Sequence, residues 1–135
     1  MLISHPIFSC YGSVSNDFKI FAKIIKELEK IKETEQSRLD CYEFSNFSSK
    51  VREAIQTKIS QVVDGLTTIE IFIPSRDYPN HVDEGGLSFF IPLEDYGYFT
   101  SGGIRHKVDI FNLYSFNDGV EHNTDVACIM IKPVE

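Results

Sequence analysis

The chain has 135 residues, of which 42% are hydrophobic, 13% aromatic and 24% charged, and its net charge is −7. That usage excludes a disordered chain and fits a single domain, residues 1–135, with room for a Phe-, Ile- and Val-rich core. An acidic balance without a basic stripe speaks against direct nucleic-acid binding. No run approaches the roughly 20 apolar residues of a membrane span, so no membrane partner is expected.

Cys10, Cys41 and Cys128 are the three cysteines. The odd count and the lack of a C-x-x-C pair point away from a disulfide framework and a zinc knuckle. A reducing compartment follows, and the N-terminal MLISHPIFSCYG lacks the basic and apolar regions of a signal peptide. The expected location is the cytoplasm.

In chain order, Leu2 to Cys10 suits an edge strand, because Pro6 cannot serve a central one. A helix is predicted from about Asp17 to Gln36, on the stripe Phe18, Phe21, Ile24, Ile25, Leu28 and Ile31. Ser37 to Asn46 reads as a connector. A second helix, about Phe47 to Asp64, carries Val51, Ala54, Ile55, Ile59, Val62 and Val63, with Gly65 as its stop. After Gly65 the hydrophobic period changes from near 3.6 to 2. Strands are predicted over Thr68–Ile73, Leu87–Leu93, Tyr98–Thr100, Lys107–Phe116 and Val126–Ile131. Residues 74–86 form a loop, Gly102-Gly103 a turn and Asn117-Asp118-Gly119 a hairpin signal. The last strand is apolar on both faces and belongs in the middle of its sheet. The predicted fold class is therefore α+β, with two N-terminal helices packed on a mainly antiparallel sheet of about four to five strands. Ile69, Ile71, Phe89, Ile91, Ile129 and Ile131 are the expected core.

Candidate chemistry is sparse. His5, His81, His106 and His122 show no H-x-H, H-x-x-x-H or HExxH spacing, so neither a metal site nor a metal cofactor is predicted. Nothing places a base beside Cys10 or Cys41, and no G-x-S-x-G elbow occurs. The glycine pairs lack the phosphate-loop patterns. The adjacent acids Asp83-Glu84 and Glu94-Asp95 suit solvated turns better than acid–base work. No catalytic residue is assigned.

Charge distribution is more telling than total charge. Residues 1–66 hold nine basic and nine acidic side chains; residues 67–135 hold four and eleven. Such a field steers a basic protein partner, and tyrosines beside the acids suit interface anchors. The leading expectation is a small acidic cytosolic protein-binding inhibitor of the immunity or anti-defence type. It would occlude a basic surface on a partner such as a toxin or nuclease. Its predicted contact residues are Asp77, Tyr78, His81, Asp83, Glu84, Glu94, Asp95 and Tyr96. A small-molecule-binding module with an aromatic-lined pocket is the alternative, and a small hydrolase ranks below it.

Overall fold

The computed structural model describes residues 8–14, 41–43, 49–62, 69–74 and 86–133. Strands β1 (Phe8–Ser13) and β2 (Cys41–Glu43) precede helix α1 (Ser49–Val62). Then follow β3 (Ile69–Pro74), β4 (Leu87–Pro92), β5 (Gly97–Ser101), β6 (Ile104–Val108), β7 (Asn112–Asn117), β8 (His122–Thr124) and β9 (Cys128–Pro133). Six strands form one antiparallel sheet in the order β1-β7-β4-β9-β3-β2, and three form another in the order β6-β5-β8.

Strand alternation assigns the two faces of the large sheet to different partners. Phe89 and Ile91 of β4, Leu113 of β7, and Ile129 and Ile131 of β9 share one buried cluster with Ile55 and Ile59 of α1. Those two isoleucines stand one helical turn apart and are fully buried, which is why the helix lies on this face. Phe90, Tyr114, Phe116, Cys128 and Met130 point the other way and meet Phe99, Val108 and Val126, which belong to the small sheet and its flank. The result is three layers, with the helix and the small sheet on opposite faces of the large one. Burial on both faces accounts for the uninterrupted apolar runs in β4 and β9.

The predicted two helices on a sheet of four to five strands is thus corrected: the described residues form two antiparallel sheets and a single helix. The helix predicted at 17–36 lies outside the described residues. Part of the predicted 37–46 connector is instead the edge strand β2, paired with β3. β9 is central, between β4 and β3, as expected; of the edge strand expected over Leu2 to Cys10, residues 2–7 lie outside the described residues, and 8–10 belong to β1, which runs on to Ser13 and ends the large sheet among the described residues. The backbone of Ile69 and Ile71 pairs with Pro133 and Ile131, while their side chains lie outside the described set. Leu87 is 40% exposed rather than inward with Phe89 and Ile91.

The strand expected over Lys107–Phe116 is two strands in two sheets. The break comes at Asp109–Phe111, where Phe111 takes φ +62 and its N–H donates to Pro92 O at 2.9 Å. The Asp109 N–H donates to the Tyr114 hydroxyl at 2.7 Å and fixes the crossing, while burial pushes the Tyr114 phenol up. Similarly, Asn117-Asp118-Gly119 turns the chain without making a hairpin. Asn117 Oδ1 accepts the Gly119 N–H at 2.9 Å, and the strand that follows joins the other sheet. The reason is burial: covering Phe99 and Phe116 with each other, 4.8 Å between ring centroids, requires a second layer. Gly102 and Gly103, at φ +58 and +81, make a true two-residue hairpin between β5 and β6.

Candidate functional site at an acidic corner

Pro92 cannot donate to a ladder and stands at the last position of β4. The next residues turn sharply from the large sheet into the small one, and 125–127 makes the return journey beside them. The two segments are bolted together by backbone bonds from Leu93 N to Ala127 O at 2.8 Å and from Asp125 N to Tyr98 O at 3.3 Å. Two carboxylates add to the join. Glu94 Oε1 accepts the Ala127 N–H at 2.8 Å, and Asp125 Oδ1 accepts the Tyr98 N–H at 2.7 Å. Gly97 is buried between them, and a Cβ there would collide with the Val126 side chain.

Predicted contact residues Glu94, Asp95 and Tyr96 therefore come together with Asp125. They do not have equal roles. Glu94 and Asp125 hold the backbone, whereas Asp95 and Tyr96 face outward. Tyr96 is 92% exposed and adopts φ +64, a conformation that costs a non-glycine residue roughly 1–2 kcal/mol. Asp77, Tyr78, His81, Asp83 and Glu84 lie outside the described residues. Asp125 is absent from the predicted contact set because its neighbours in space are about thirty positions away in the chain; the only local hint is an acid just before the last apolar run.

Beneath the corner the field of Glu94 reaches Cys128. Burial, reinforced by that carboxylate, pushes the Cys128 thiol up to about 12. The thiol is protonated and inert at neutral pH.

Comparison with known proteins finds no matching family, no similar curated protein and no similar solved structure. The site is therefore read from its own chemistry.

The interior between the sheets is the other place where reactive side chains gather. His106 of β6 stacks on Phe8 with ring centroids 3.9 Å apart and planes 7° apart. His122 of β8 lies 4.6 Å from Phe116, and its Nδ1 is 2.9 Å from Val120 O. These histidines occupy opposite edges of the small sheet with β5 between them, so they do not converge. Phe90 stacks on Phe99 at 4.2 Å and on Tyr114 at 5.1 Å. Asp118 is buried where the chain leaves β7 and accepts the Ser88 hydroxyl at 2.8 Å. Among the described residues no three His, Cys, Asp or Glu side chains are grouped to hold a metal ion. No helix among them is long and apolar enough to cross a membrane.

Proposed function

We propose that this chain is a cytosolic protein-binding inhibitor, of the immunity or anti-defence type, that covers a basic surface of its partner by occlusion. The observation that carries the reading is Tyr96: an exposed aromatic held in a strained backbone conformation by a corner pinned on both sides. Strain at an exposed position is a cost that folding alone does not explain, and a rigid aromatic loses little entropy on binding. Asp95 beside it supplies the charge that attracts a basic partner. Asp77, Tyr78, His81, Asp83 and Glu84 extend the proposed contact set along the chain.

The stacking of Phe90 on both Phe99 and Tyr114 supports occlusion over the aromatic-pocket alternative, because those rings are spent on the core. The test begins with identification of the partner by affinity purification from the native host and continues with binding kinetics on the purified pair. Tyr96→Ala is expected to speed dissociation, at a cost of roughly 2 kcal/mol if Tyr96 is the anchor. Asp95→Lys with Glu84→Lys is expected to slow association, most strongly at low salt. A partner with an acidic contact surface, or kinetics indifferent to salt and to these residues, overturns the reading.

A further inference from the structure

Among the described residues the small sheet ends at β6, an edge strand whose chemistry runs against the rest of its half of the chain. Residues 67–135 carry four basic side chains among eleven acidic ones, and two of the four, Arg105 and Lys107, lie on β6. Among the described residues β6 pairs only with β5. Register fixes what its other edge offers. Ser101 and Ile104 close the two-residue turn, so they form a hydrogen-bonded pair, and so do Phe99–His106 and Gly97–Val108. Arg105 and Lys107 stand at the alternate positions, where the backbone N–H and C=O point away from β5.

The side chains sort the same way. Val108 is buried and His106 stacks on Phe8, which fastens the inner face of β6 to β1. Arg105 and Lys107 are exposed on the outer face. The Arg105 guanidinium lies 3.8 Å from the Tyr98 ring centroid, which holds it in place with its N–H fork free to meet an anion. Ile104, at the strand's start, is 55% exposed.

From this placement we infer that the β6 edge is a second binding surface, which takes an extended acidic segment of a partner protein as an added strand. Its carboxylates sit opposite Arg105 and Lys107, with an apolar residue between them on the inner side beside His106. The donors and acceptors of Arg105 and Lys107 supply the main-chain bonds, and the two cations supply the selection. A second copy of the chain is the wrong occupant. Two-fold antiparallel pairing centred on His106 sets Arg105 against Lys107 of the other copy, a like-charge contact of the kind that protects edges from self-association. The inference is independent of the acidic corner, which takes a partner of the opposite charge.

Lys107→Pro isolates the edge. It removes the outward N–H and leaves every β5–β6 bond in place, and proline is tolerated on an edge strand in that orientation. The probes are a short capped peptide alternating glutamate and valine, and its counterpart with lysine for glutamate, followed by amide NMR on the full chain. The glutamate peptide is expected to shift the amides of Ile104–Val108 and slow exchange at Lys107. Lys107→Pro abolishes binding and Lys107→Ala weakens it only modestly. Charge reversal at Arg105 and Lys107 together weakens it roughly tenfold and turns the preference to the lysine peptide. Should Lys107→Pro unfold the chain, a glutamate peptide N-methylated on its edge-facing amides makes the same test and is expected not to bind. Equal binding of both peptides, unchanged binding by Lys107→Pro or by the N-methylated peptide, shifts mapping elsewhere, or a β6-paired dimer in sedimentation overturns the inference.

Discussion

The Asp125 carboxylate accepts the Tyr98 backbone N–H at 2.7 Å across a separation of 27 residues, and so ties the exit of the first turn to the entrance of the last strand. Asp125→Ala is expected to leave that N–H without its partner and to cost about 1–2 kcal/mol. Chemical denaturation should show a lowered midpoint with an unchanged slope. An effect below a few tenths of a kcal/mol would mean that the corner stands on its backbone bonds alone.

Gly97 sits inside the same corner. Gly97→Ala drives a methyl into Val126, and the overpacking is expected to cost roughly 1–3 kcal/mol. Pairing it with Val126→Ala should recover part of that loss, measured as non-additivity in a double-mutant cycle.

Tyr96 gives a sign test for strain. At φ +64 glycine carries no Cβ penalty, so Tyr96→Gly should be more stable than Tyr96→Ala by about 1 kcal/mol. Thermal unfolding of the two variants checks this. Equal stability would show that the left-handed conformation stores nothing.

His106 sets a pH dependence. Burial against Phe8 holds its imidazole below the ordinary 6.5, so the unfolded chain binds the proton more tightly than the folded one. The stability from this site is full above pH 6.5 and is lost as pH falls from there through the lowered folded value. Replacement by phenylalanine keeps the stack and removes the titration. A plot of unfolding free energy against pH should be flatter below 6.5 for His106→Phe than for the parent chain.

Two thiols should behave oppositely. Cys10 is exposed and Cys128 is fully buried with its pKa pushed to about 12. In a Cys41→Ser background, a disulfide reagent at neutral pH should label Cys10 at once and Cys128 only on unfolding. Rapid double labelling of the folded chain would place Cys128 outside the core.

Local sequence determined a good deal. Alternation and turn chemistry placed β4, β5 and β9, glycine freedom placed the Gly102–Gly103 hairpin, and the apolar spacing of Ile55 and Ile59 gave α1 its buried face. Doubly apolar character put β9 in the middle of its sheet. Tertiary structure decided the rest. In Lys107–Phe116 the alternation slips one phase at the adjacent Ile110 and Phe111, but such a slip reads equally as a bulge within one strand, so the pattern by itself does not announce that Phe111 turns left-handed and carries the chain from one sheet to another. The second layer exists because Phe90, Tyr114 and Phe116 need a cover, and that need is a sum over strands distant in sequence. The corner follows the same logic: Glu94, Asp95 and Tyr96 were legible as an acidic turn, but Asp125 joins them only through hydrogen bonds between residues 27 and 33 positions apart in the chain. Period and turn signals are local and survive in the sequence; which faces meet, and which acids hold backbone rather than face a partner, are set by contacts that form only when the chain is folded.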